Sequence, residues 1–373
     1  WVRPQYYPKY GEGVMQAIWR ESAQVRETAG ICDVSTLGKI EIFGPDAGEF
    51  LNRLYINGWK SLPVGKARYG LMLREDGYVF DDGTTSRLAE DHYFMTTTTA
   101  NAAGVLAHME HYAQVVWPDL DVHFCSATEQ WCGVAVAGPN ARKVLQDAFG
   151  RDFDMSDENL PFMGVREFEW KGAKARIFRI SFSGELTYEV NVAWRHGEGM
   201  WNTIWDAGQS HGLIPYGTEA LSVLRIEKGH VAGNELDGRS TANDMGLGKM
   251  MSSLKEFVGK RMAARSGMVD PDRPKLVGVK LIGKSGRLRG GAHLIESLED
   301  ANTVANPDAS KGWVTSVGDS PALGCWIGLA YLQGGEKRYG TRMIAHYPLR
   351  NENVEVEIVS PHFFDPEGTR LHG

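Results

Sequence analysis

No stretch of this chain approaches the roughly 20 consecutive apolar residues of a membrane-spanning helix, and the opening WVRPQYYPKYGEG carries no signal-peptide pattern. A soluble, cytoplasmic protein is expected, with no membrane partner. Cysteine is scarce: Cys32, Cys125, Cys132 and Cys325 are the only four, and none share a CxxC spacing. That pattern argues against a disulfide frame or a zinc site and predicts free thiols in a reducing compartment. There is no GxGxxG between a strand and a helix, no GxxxxGK[ST] loop and no nucleophile elbow, so neither a dinucleotide domain, a phosphate loop nor a Ser-His-Asp hydrolase is anticipated. Positive charge is not in excess either. Forty Lys and Arg against 47 Asp and Glu leave a net charge of −7, the wrong balance for a broad phosphate-neutralising surface, so nucleic acid is not an expected partner. His108 and His111 share a helical face without further ligands in register, and no metal site is expected.

What is present is an ordinary globular composition, 42% hydrophobic and 23% charged over 373 residues, long enough for two or three domains. Apolar residues at helical spacing predict a helix over 12–29, with Gly30 as its stop. KIEIFGPDAGEFLNRLY, Lys39 to Tyr55, then reads as strand, Gly-Pro turn and helix. The same syntax returns in CGVAVAGPNARKVLQDAF, Cys132 to Phe149, which points to a duplicated α+β unit. Between the copies, RYGLML and YVFDDGTTSR flank Glu75-Asp76-Gly77 and predict a hairpin. The charged, Gly- and Pro-interrupted segment 259–275 reads as a linker. Beyond it short strands such as KLVGVKLI, GWVTSV and VEVEIVS predict a small β-barrel or sandwich. The expected division is a discontinuous α+β domain of residues 1–45 and 130–258, a second α+β domain of 46–129, and a barrel-like domain of 259–373.

Chemistry is left to carboxylates. Asp81 and Asp82 follow a Tyr-Val-Phe strand, where Asp is disfavoured. Successive strand positions point to opposite faces, so one of the two is expected to aim inward; a purely structural role, with Asp82 turning the backbone beside Gly83, is the competing reading. In SFSGELTYEV, Glu189 lies between Tyr188 and Val190 on a strand. It could accept paired hydrogen bonds from a planar donor edge, or form an internal salt bridge, with Arg225 as the nominated partner.

Together DVSTLGKIEIFGPDAGEFLNRLY, RYGLMLREDGYVFDD, AVAGPNARKVL, SFSGELTYEV, YGTEALSVLRIEKG, EFVGKR and SPALGCWIGLA resemble the folate-binding aminomethyltransferases of the glycine cleavage T-protein family, over essentially the whole chain. TTTTANAAGVL, TEQW, PYGTE and VEVEIVSPHFFDPEGTRLHG are more similar to the folate-binding half of the sarcosine oxidase α subunits within it. The resemblance implies a three-domain cloverleaf around a central channel for tetrahydrofolate. It implies Asp81 as the catalytic carboxylate, Glu189 as the residue that grips the pterin, Tyr69 as an aromatic lining the site, and Thr98 and Arg225 as further cofactor-binding residues. The implied activity is capture of the iminium from an oxidised N-methyl amine as 5,10-methylenetetrahydrofolate, with a flavoprotein subunit or domain supplying that iminium from a small-molecule one-carbon donor. Leu221, Ser222 and Thr98 stand where the cleavage-system enzymes commonly have Arg, Asp and Asn, which favours the sarcosine oxidase branch. A folate-dependent demethylase and a non-catalytic folate-binding protein are the alternatives.

Overall fold

The first helix of the computed structural model, which describes residues 2–150, 153–283, 285–302 and 306–372, is Val14–Glu27; it buries Ala17, Ile18 and Val25. It ends before Gly30, contrary to the expectation of a glycine stop. Gly30 lies inside the next strand, Ala29–Asp33, where a Cβ would come within 2.5 Å of both Tyr216 and Val25. The glycine therefore permits close packing of strand against helix.

That strand joins a six-stranded sheet in the order Leu213–Pro215, Ala29–Asp33, Trp131–Ala137, Thr187–Ala193, Ala173–Phe178, Val165–Trp170. One face of this sheet packs Ile31, Val134, Val136 and Val190 against the helices Ala141–Phe149 and Gly197–Gly208. A second, five-stranded sheet runs Lys66–Leu73, Val79–Ala89, His92–Thr97, Gly38–Phe43, His123–Ser126. Gly38–Phe43 thus belongs with the second body by hydrogen bonding, although its position before the Gly-Pro turn had grouped it with the first. The duplication is visible in the backbone. Gly44 and Gly138 take φ of +121° and +123°, and each leads its strand into a helix, Ala47–Leu54 or Ala141–Phe149. Only glycine adopts that conformation without strain.

Strands Lys275–Leu281, His293–Ile295, Gly312–Ser320, Cys325–Leu332, Arg342–Tyr347 and Glu352–Val359 close into a six-stranded barrel. The architecture is α+β, two sheet-and-helix bodies and a terminal barrel. The segment before the barrel is packed rather than loose: Ala263 is buried, and its backbone sits so close to Gly77 that a Cβ there would approach within 2.6 Å. The three bodies share a core in which Leu71, Leu73 and Val79 meet Ile226, Met245, Leu329 and Tyr331. Buried ion pairs tie the first body together and to the C-terminal segment: Arg26 links Glu227 at 2.7 Å and Glu185 at 2.8 Å, and Arg370 near the C-terminus reaches Glu185 at 2.7 Å.

Gly83 follows the acidic pair because the strand crosses its neighbour closely; a Cβ there would lie 2.0 Å from the Thr96 carbonyl oxygen. Backbone cannot yield as a flexible side chain would. Gly83→Ala is expected to destabilise the chain by about 1–3 kcal/mol, the usual cost of overpacking, measurable as a lowered denaturant midpoint.

Candidate functional site

Cross-strand register decides where the two aspartates look. Asp81 stands opposite Met72, and Asp82 opposite Leu71. Met72 belongs to the interior of the second body with Phe50, Tyr55 and Met95; Leu71 belongs to the seam shared by all three bodies, where Tyr69 also packs. Asp82 and Tyr69 therefore occupy the seam face, and Asp81 the opposite one, as period-two geometry requires.

The two carboxylates nevertheless meet at one residue. Thr98 donates its backbone N–H to Asp81 Oδ2 at 3.3 Å and its hydroxyl to Asp82 Oδ1 at 3.5 Å. Asn101 Nδ2 donates to the other oxygen of Asp81 at 3.3 Å, and the Tyr69 hydroxyl donates to Asp82 Oδ2 at 2.8 Å. Asp81 is buried, and burial, followed by the neighbouring charge of Asp82, pushes its carboxyl up to about 7 against the weaker pull of the Thr98 and Asn101 bonds. Burial raises Asp82 as well, opposed by the bonds from Tyr69 and Thr98. A carboxyl near neutrality, next to an anchored carboxylate, is able to take up and return a proton at ordinary pH.

Glu189 sits on the first sheet, opposite Ala135 on one side and Phe178 on the other, with Cys32 beyond Ala135. This face turns toward the second sheet. Phe178 stacks on Phe94 with ring centroids 5.6 Å apart, and Arg176 pairs with Glu41 at 2.6 Å. Among the described residues no hydrogen bond or ion pair reaches the Glu189 carboxylate. Arg225, the nominated salt-bridge partner, is engaged elsewhere: it pairs with buried Glu235 at 2.7 Å and donates to Ser316 Oγ at 2.6 Å. Burial raises Glu189 to about 7, against the opposing charges of Lys39 and Arg3.

Lys39 is almost completely buried, 1% exposed, and donates to the Ser35 and Leu37 carbonyls at 2.7 and 3.0 Å. Burial lowers its ammonium to about 8. It stands opposite Thr96, whose hydroxyl bonds that of Thr84 at 2.9 Å, and Thr84 stands opposite Tyr69. One row of side chains thus runs from the lysine toward the acidic cluster. Arg3 is brought near Glu189 by an N-terminal strap, in which the Pro4 and Gln5 carbonyls accept hydrogen bonds from Thr218 and Glu219.

Of the residues nominated from sequence, Tyr69, Asp81 and Thr98 therefore form one cluster. Glu189 lies on the facing sheet, and Arg225 serves a buried ion pair. Asp82, Asn101, Lys39 and Arg3 were not nominated. Lys39 had a signal, since Lys39 and Glu41 alternate with Ile40 and Ile42 and must share the face away from the core; Arg3 had none. A cavity of about 600 Å³ lies away from these residues, and a second of about 530 Å³ is lined in part by Pro4 of the strap and by Ser35, whose carbonyl accepts from Lys39. The first is walled by Arg53, Trp117, Lys255 and Phe257, the second by Tyr7, Cys132, Trp194 and Trp201.

Two family models cover most of the chain: the GCVT N-terminal domain matches residues 1–255 and the glycine cleavage T-protein C-terminal barrel domain residues 275–365. The chain belongs to the glycine cleavage T-protein family. The sarcosine oxidase subunit alpha of Rhizobium meliloti is 48% identical over all of this chain, which spans 38% of that protein's length. The aminomethyltransferase of Bacillus subtilis is 32% identical, over 93% of this chain and 91% of the relative. The solved glycine cleavage system aminomethyltransferase T from Bartonella henselae superposes with a TM-score of 0.82 at 25% identity, covering 98% of this chain and 92% of that one. No helix among the described residues is long and apolar enough to cross a membrane.

Proposed function

We propose that this chain is a tetrahydrofolate-dependent one-carbon transferase, capturing the iminium of an oxidised N-methyl amine such as sarcosine as 5,10-methylenetetrahydrofolate. It would act as the folate-binding part of a sarcosine oxidase α subunit, with a flavoprotein subunit or domain producing the iminium. The observation that carries the reading is the clustering of Asp81, Thr98 and Tyr69 in a family of aminomethyltransferases. The 48% identity to a sarcosine oxidase α subunit directs it to that branch.

The residues fit such a ligand chemically. Glu189 offers a carboxylate with no hydrogen-bond partner among the described residues, suited to the adjacent ring N–H and amino donors of a pterin. Tetrahydrofolate, when bound, supplies two nucleophilic nitrogens able to hold one carbon between them. The protein's share is positioning and proton handling. Asp81 takes the proton released as the carbon is captured and returns one to the departing amine; the two N–H protons lost by the folate nitrogens both end on that amine, which leaves as its ammonium form, so that no net proton is released. Asp82 holds fixed negative charge near the cation that forms meanwhile.

The direct test adds tetrahydrofolate to the purified chain, measures binding, then follows capture of formaldehyde or a sarcosine-derived imine with and without a flavoprotein. Binding followed by methylene capture is expected. Methyl transfer without prior oxidation would replace this reading with a demethylase, and binding without chemistry would leave a folate-binding protein. For Glu189→Ala, folate affinity is expected to fall about 10- to 100-fold, the equivalent of about 1.5–3 kcal/mol for hydrogen bonds to a charged group; an unchanged dissociation constant by calorimetry would remove Glu189 from the site.

A further inference from the structure

We propose that Asp82 is a positioning residue for Asp81: clamped by the Tyr69 hydroxyl and sharing Thr98, it holds a negative charge that keeps the single mobile proton of the pair on Asp81. The inference rests on Asp81 being the proton-handling residue of the proposed reaction. Three observations carry it. The seam face and the interior face of one strand deliver the two carboxylates to opposite sides, yet Thr98 binds Asp81 through its N–H and Asp82 through its hydroxyl. Tyr69 donates to Asp82 alone at 2.8 Å, which favours charge on Asp82 over charge on Asp81. Gly83 brings the strand so close to Thr96 that the pair has little room to separate.

Among the described residues no cation bonds to either carboxylate of this pair. Tyr55 at the end of the helix Ala47–Leu54, Tyr69 on the neighbouring strand and Asp82 itself are the titratable groups that act on Asp81 or share its surroundings. Arg68, on the same strand as Tyr69, is turned away and donates to the Gly58 carbonyl. Two carboxylates in such a setting cannot both ionise freely, and the hydrogen-bond pattern selects which one keeps the proton. The direction of the Asp81 shift agrees with this geometry.

The experiment is an infrared titration of protonated carboxyl groups in the full chain without folate, with Asp81→Asn used to assign the Asp81 band. In the wild type that band is expected to persist above pH 6, close to the value of about 7. In Asp82→Asn, which can still accept the Tyr69 hydrogen bond through its amide oxygen, the midpoint is expected to fall by about one pH unit or more, as for strongly interacting sites. The rising limb of the pH–rate profile should move with it. Asp82→Glu, which restores the charge, should return the midpoint toward the wild-type value. A wild type with no protonated-carboxyl band at all above pH 6 overturns the proposal even if no variant folds, as does an Asp82→Asn midpoint that does not move. The titration needs no folate, so failure of one-carbon capture would sink the proposed reaction while leaving this result to stand or fall separately.

Discussion

Asp81→Asn is expected to lower folate-dependent one-carbon capture by about 10²- to 10⁴-fold, the usual worth of a positioned acid–base group, while folate still binds. The substitution keeps the shape and one acceptor for Thr98 or Asn101 but can neither take up nor return a proton. Stability separates this outcome from simple damage. In the folded chain Asp81 is raised from 3.8 to about 7, so between those values the native state holds a proton that the unfolded chain has released. Stability therefore declines as pH rises through that window and stays lower above it. Asparagine never ionises and escapes the decline. The variant should match the wild type near pH 4 and melt at a higher temperature at pH 8, while being the poorer catalyst. A variant equally active, with folate bound, would remove Asp81 from the chemistry. One that is inactive and less stable at pH 8 would show that its role is structural.

The same trade between stability and function marks what could be read from the sequence. Alternation exposed the strands around Ile40 and Glu189, and the Gly-Pro turns announced the duplicated unit, because both are local rules of backbone geometry. The acidic pair stood out for the same reason, since Asp conflicts with its strand. What remained hidden needed non-local contacts. Nothing near Asp82 in the chain says that a tyrosine hydroxyl from the adjacent strand anchors it, or that Thr98 joins it to Asp81. Strand parity alone left Asp82 as a neighbour of the important residue, and the hydrogen bonds make it part of the same device. Gly30 misled in the opposite direction: a glycine after a helical pattern resembles a stop, but here it makes room for Tyr216, a residue far along the chain. Gly38–Phe43 was grouped by sequence order, whereas sheet membership follows hydrogen bonding.

Arg225, nominated for the cofactor site, is held in a buried ion pair, and it leads to the largest stability effect expected of a single change. Arg225 is 5% exposed and Glu235 is fully buried. Glu235 also accepts from the hydroxyls of Thr315 and Ser316 and from the Ala232 backbone N–H. The arginine thus links the helix Thr218–Lys228 to the barrel strand Gly312–Ser320 through one buried charge pair. Arg225→Met would fill much of the volume but leave the Glu235 charge without its partner, and removing one member of a buried pair typically costs about 3–5 kcal/mol. The expected signature is a lower denaturant midpoint and melting temperature, with the folate affinity of the remaining folded protein little changed. Replacing both partners, Arg225→Met with Glu235→Leu, should recover a large part of the loss, because no stranded charge remains. A single variant of normal stability that had lost folate affinity would return Arg225 to the binding site, and a double variant no more stable than the single would show that packing, rather than the unpaired carboxylate, sets the cost.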